Sequence, residues 1–424
     1  MNTMFTLPLL SLLLLTIGVA AHSSPRPPAA KLTIPRGSPA RLSIIDSTLR
    51  MEKLNASGLT TPPIPGFQYL PTLPSWAFLI ESTTPGTNKK AIFDLGFPPN
   101  ANESFAPSRY KLMIGRALPV KVDKHVSEIL VEHNISLDSI NAIIWSHSHS
   151  DHIGDPKTFP PSTSLVVGPG FAEEFLPSYP TDPESSIPQD IFDGGRRLVE
   201  LAPADFPLTI GNLPANDFFG DGSLYILDTP GHMVGHLAAL VRTTTGPDTF
   251  VFLAGDLIHH GGELRPSDSP FNNQIPHNVK SLYDCPFHPH PHESKSSSKN
   301  KNKNENKKFC GKDKCPSKKE FESLTSSIGR DPRGPALLPV LYHNFTQTMQ
   351  SIERSKGFDN QDNIWYLYAH DPYLLAEYGV GVKLFPRTAN DWFKKGWREK
   401  THWRFLEDFV FGAVNLTRGG SSCF

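Results

Sequence analysis

His147, His149, Asp151 and His152 lie within six consecutive positions of the string Ser146-His147-Ser148-His149-Ser150-Asp151-His152. Neutral imidazoles and a carboxylate at this density form a donor set for a transition-metal ion. Zinc suits these donors, and iron, manganese or cobalt would accept them too. Taken alone, the string also reads as a solvated histidine-rich turn, so the choice rests on what the rest of the chain supplies.

The elements that position these residues are legible in the same pattern. Ile140-Asn141-Ala142-Ile143-Ile144-Trp145 is β-branched and aromatic, which predicts a buried strand leading into the motif. Side chains alternate along a strand, so His147 and His149 fall on one side. Asp151 and His152 follow where the chain turns towards a short helix and faces a second ion. Three more apolar runs end in a donor: residues 224–229 lead through Pro230-Gly231 to His232, residues 249–255 to Asp256, and residues 364–369 to His370. One strand-end histidine or aspartate is usually a turn or capping residue. Four such strand ends in one chain instead place their donors on one rim of a sheet.

With Ala91-Ile92-Phe93-Asp94-Leu95-Gly96, Thr229-Pro230-Gly231-His232, Gly235-His236, Gly255-Asp256 and Ala369-His370-Asp371, the chain resembles the metallo-β-lactamase-fold hydrolases. Within them it is most similar to the lactonase branch that opens acyl-homoserine lactones, from about Arg41 to about Asp371. The resemblance implies a four-layer αββα sandwich, where the pattern of elements alone gives only mixed α and β. It also implies two zinc ions per chain, or other divalent transition metals. His147, His149 and His232 would hold one ion and Asp151, His152 and His370 the other, with Asp256 bridging both. Asp94 is expected to fix a ligand loop by hydrogen bonds.

The sequence departs from that branch at one position. The branch often carries a substrate-contacting tyrosine three residues after the bridging aspartate, and here the residue is His259. The surrounding string, from Asp256 to Ser267, looks more like fungal lactamase- or lactonase-like relatives. His259 is a candidate for polarising the scissile carbonyl or, equally, a structural histidine. His236 and His260 read as residues packed behind the ligands.

The expected chemistry is metal-assisted hydrolysis of a cyclic ester or amide, with a lactone as first choice. A metal-bridging hydroxide would attack, and Asp151 or Asp256 would move a proton to the leaving atom. A thioesterase of the same fold and a non-catalytic metal-binding secreted glycoprotein are the alternatives. β-Lactamases of this fold usually lack the bridging carboxylate, so Asp256 favours the lactonase side.

Composition bounds the partners. The chain has 424 residues, 38% of them hydrophobic, and a formal net charge of −1, which gives no electrostatic case for nucleic acid. A small-molecule substrate is expected. Residues 1–21 read as a secretory signal peptide, with a short apolar run unsuited to stable membrane insertion. Residues 22–40 form a proline-rich lead, and residues 41–424 the hydrolase domain. A Lys/Asn/Ser-rich insertion at about residues 294–319 is too polar to order itself. Secretion fits sequons at Asn55, Asn102, Asn134, Asn344 and Asn415, and disulfides among Cys285, Cys310, Cys315 and Cys423, whose pairing the sequence leaves open.

Overall fold

The computed structural model of the chain describes residues 32–115, 120–267 and 318–409. The signal-peptide reading, the four cysteines, the Asn415 sequon and the polar insertion lie outside these residues, apart from Lys318 and Lys319. Those two open a helix, Lys318–Ser327, instead of closing a loop. Phe321 and Leu324 anchor it because both are buried. The described part of the lead, residues 32–39, is irregular, and Ala40 already begins a strand.

Twelve strands form two six-stranded sheets, each following chain order. The first holds β1 (Ala40–Asp46), β2 (Trp76–Ser82), β3 (Lys90–Phe93), β4 (Ala142–Ile144), β5 (Ser164–Val167) and β6 (Leu198–Glu200). The second holds β7 (Leu208–Ile210), β8 (Leu213–Asp217), β9 (Leu224–Asp228), β10 (Leu237–Thr244), β11 (Thr249–Leu253) and β12 (Ile364–Leu367). β1, β2 and β3 pair antiparallel and β3 to β6 run parallel to one another, whereas the second sheet is antiparallel until β12 joins β11 in parallel. Parallel pairs need long crossovers, and these cover the sheets with helices.

Alternating side chains then divide the core into three layers. Ile44, Phe78, Phe93 and Ile144 meet Ile226, Val241, Val251 and Trp365 between the sheets. Ile45, Leu79, Ile92 and Ile143 point outward beneath the helix Val126–Glu132, through Val126 and Leu130. Leu227, Leu240, Phe252 and Tyr366 point outward on the other side, beneath Ile352 and Phe358 of the helix Phe345–Asp359. This is the expected αββα sandwich. Trp392 and Trp397 from beyond the last strand close the inter-sheet core.

Two local expectations are corrected. By residue type and place Asp123 is the expected N-cap of the helix at Val126, but His125 takes that position: Glu128 receives the His125 N–H at 2.7 Å, while the Asp123 N–H donates to Thr48. The strand before the metal motif is also shorter than its apolar run, because Ile140 closes a 3-10 turn at Leu137–Ser139. Among the described residues, no helix is long and apolar enough to cross a membrane.

Candidate metal centre

β4, β9, β11 and β12 all deliver their C-terminal ends to one rim, where backbone hydrogen bonds stitch the loops together. Leu237 N–H donates to the Ser146 carbonyl at 2.7 Å, Ala369 N–H to Gly255 at 3.0 Å, and Trp76 N–H to Ala369 at 3.0 Å. Gly231 lets the His232 turn approach the helix Phe345–Asp359. At its φ of +132° a Cβ would lie 2.1 Å from the Thr348 nitrogen.

Four donors, from His147, His149, His232 and Asp256, gather within 4.8 Å of one another, and so do three from Asp151, His152 and His370. All seven side chains singled out in the sequence therefore meet at one place. In the first group the ring nitrogens nearly touch. His147 Nε2 lies 2.8 Å from His149 Nδ1, and His232 Nε2 lies 3.2 Å and 3.0 Å from those two atoms.

Asp256 stands between the groups. Its Oδ2 is 3.7 Å from both His147 Nε2 and His232 Nε2, its Oδ1 is 3.1 Å from His152 Nε2, and His370 Nε2 lies 3.2 Å from both oxygens. Asp151 Oδ2 completes the second group, 3.4 Å from His370 and 3.9 Å from His152.

The outer atoms of the histidines are held as metal ligands require. His232 Nδ1 donates to the Leu341 carbonyl at 3.0 Å and His370 Nδ1 to the Pro74 carbonyl at 2.7 Å. A carbonyl only accepts, so the proton of a neutral ring sits on Nδ1 and the Nε2 lone pair faces inward. Asp94 acts as expected: it accepts from Ser146 N and Oγ at 2.7 Å each and faces His152 Nδ1 at 2.9 Å.

Electrostatics differ between the groups. Burial pushes the pKa of His147 and His232 well below the usual histidine range and that of His149 down to about 4, so these rings are neutral donors. Burial opposes charge on His152 and His370 as well, but Asp256 and Asp151 outweigh it and raise both pKa values. The negative potential that raises them is what a divalent cation would meet. His152 Nε2 and Asp256 Oδ1 are buried without hydrogen-bond geometry to any partner, an arrangement that proteins seldom tolerate unless an ion or a water completes it. The donor set and its orphaned atoms fit divalent metal.

His259 lies at the edge of this cluster. Its Nε2 is 3.4 Å from Asp256 Oδ2, its ring is 5.0 Å from that of His232, and both its ring nitrogens are buried without hydrogen-bond partners. Its backbone N–H donates to Glu263 at 3.0 Å. His260 turns away, donating to Asp408 at 3.0 Å among Phe67, Phe405 and Phe409.

Several supports had no signal in the sequence. Arg109, buried on the helix Pro107–Gly115, donates to the Ser148 carbonyl inside the metal motif and to Ser186 at 3.1 Å and 2.7 Å. The Pro74 and Leu341 carbonyls are backbone atoms, which no residue type announces.

Residues 70–303 match the metallo-beta-lactamase superfamily. A gamma-lactamase, FDB1, of Fusarium pseudograminearum is 36% identical over 87% of this chain and 82% of its own length. The cytochrome P450 monooxygenase mpaDE of Penicillium roqueforti is 34% identical over 82% of this chain, which spans 35% of that protein's length. A solved N-acyl homoserine lactone hydrolase, with the product N-hexanoyl-L-homoserine at its catalytic metal centre, superposes with a TM-score of 0.47 at 17% identity. It covers 83% of this chain and 99% of that one. The chain belongs to the metallo-β-lactamase superfamily. It is a metal-dependent hydrolase of that superfamily.

Proposed function

We propose that the chain is a secreted hydrolase that opens a small cyclic amide or ester with two zinc ions per chain. The observation that carries this reading is Asp256, whose carboxylate stands between the two donor groups, 3.7 Å from His147 and His232 on one side and 3.1 Å and 3.2 Å from His152 and His370 on the other. His147, His149 and His232 would hold one ion and Asp151, His152 and His370 the other, with Asp256 placed to serve both. When bound, such a pair polarises a carbonyl oxygen and lowers the pKa of a shared water towards about 7.

The chain's own groups do the rest. His259 presents an uncommitted ring nitrogen beside Asp256 and polarises the scissile carbonyl by a hydrogen bond. Asp151 or Asp256 carries the proton to the leaving nitrogen or oxygen. Asp151 is the better placed, because its side chain keeps 19% exposure while that of Asp256 keeps 3%. The γ-lactamase relative at 36% identity favours a cyclic amide over the lactone expected from the motifs.

A panel of lactams, lactones and thioesters tests the reaction. The wild type is expected to open a lactam or lactone, and His147→Ala or Asp256→Ala to abolish turnover and reduce bound metal. Full activity in either variant rules the site out.

Exposure of Asn55, Asn102, Asn134 and Asn344 supports passage through a glycosylating secretory route. Protein collected from culture medium is then expected to lose mass on N-glycosidase treatment, and an unchanged mass contradicts glycosylation.

A further inference from the structure

We propose that His236 is a positioning residue: it fixes the backbone of Asp256 and so sets how that carboxylate divides between the two donor groups. The inference rests on the metal reading above.

His236 is fully buried, its ring 5.3 Å from that of His147 and 5.6 Å from that of His232, yet it belongs to neither donor group. Both its nitrogens are occupied elsewhere. Nδ1 lies 2.9 Å from Thr229 Oγ1 and 3.1 Å from the Thr229 carbonyl. Nε2 accepts the Asp256 backbone N–H at 3.2 Å. The Nε2 that accepts this N–H must be bare, and the Thr229 carbonyl takes the proton on Nδ1, so the two contacts require the same tautomer.

The ring therefore spans two loops that each carry a ligand. Thr229 N–H donates back to the His236 carbonyl at 3.1 Å, closing the turn that holds His232. The next residue, Leu237, donates to Ser146, beside His147. Gly255 presses against the ring: with φ at +55°, a Cβ there would lie 3.0 Å from His236 Nε2 and 3.0 Å from Ser146 Cβ. A shift of the Asp256 backbone would move Oδ2 relative to His147 and His232 and Oδ1 relative to His152 and His370 together. An apolar side chain of similar size could fill the space, but it would leave the Asp256 N–H without an acceptor.

Three full-length variants separate positioning from packing. The amide of His236→Gln reaches the place of Nε2, the amide of His236→Asn only that of Nδ1, and His236→Leu offers neither. Zinc affinity is read by competition with a chromophoric chelator, alongside the thermal midpoint of each metal-free variant. The expected result is a loss of roughly 10–100-fold in affinity for His236→Leu and His236→Asn, the range typical of groups that orient metal ligands. His236→Gln should stay within a few-fold of wild type. Wild-type affinity in His236→Asn, or equal weakening in His236→Gln and His236→Asn, overturns the inference. A wild-type chain that takes up no zinc overturns the metal reading and this inference with it.

Discussion

Asp94 shows how much of the site depends on a residue that is not itself a donor. It sits at a φ of +60° at the end of β3, a conformation that aspartate tolerates better than most residues. From there it receives the Ser146 N–H and hydroxyl and holds His152 through Nδ1. Asp94→Ala leaves a buried N–H unpaired, which costs about 1–3 kcal/mol, and frees the His152 ring to rotate. The expected outcome is a roughly 10–100-fold weaker zinc site at the Asp151, His152 and His370 group, measured by chelator competition. Unchanged affinity would show that Asp94 serves folding alone. The seven clustered donors were legible in the sequence because four are nearly contiguous and three end apolar strands. Their supports were not. The carbonyl that orients His370 lies 296 residues away along the chain, and the one that orients His232 lies 109 away, so no local pattern marks them.

Strands whose faces are both buried were easy to read, and β4, β9, β11 and β12 appear close to where their apolar runs lie. The helix Phe345–Asp359 was not read. Its buried face is built from Thr348, Ser351, Ile352, Ser355, Phe358 and Asp359, so small polar residues stand where an apolar stripe would announce a helix. Asp359 ends that helix in a buried pair with Arg265, at 2.9 Å and 2.7 Å, and this pair ties the loop beyond His259 to the helix. Burial alone would raise the Asp359 pKa, but Arg265 and then His402 more than offset it, and its pKa lies far below the carboxylate range. A depressed pKa stabilises the fold above the unfolded value near about 3.9 and loses that contribution as pH falls through the folded value. Asp359→Ala strands a buried guanidinium and is expected to cost about 3–5 kcal/mol at pH 7. Urea midpoints of wild type and variant should converge only in strong acid. A pH-independent difference would contradict the linkage.

At the scale of the molecule, each donor group draws on both sheets. His147 and His149 follow β4 of the first sheet, and His232 and Asp256 follow β9 and β11 of the second. The other group pairs Asp151 and His152, again after β4, with His370 after β12. Bound cations would thus clasp the two halves of the sandwich at its open rim, and metal binding must stabilise the fold. Free zinc at 1,000 times its dissociation constant adds about 4 kcal/mol per site. The strand pattern alone pointed only to mixed α and β, the sandwich came with the family resemblance, and the cross-linking by the rim loops stayed hidden because it follows from packing one sheet on the other. Calorimetric titration of zinc into the full-length, chelator-treated protein tests this most directly. Saturation is expected at one ion for each of the two donor groups, with a higher thermal midpoint at saturation. Absence of uptake, or uptake that leaves the midpoint unmoved, would contradict it.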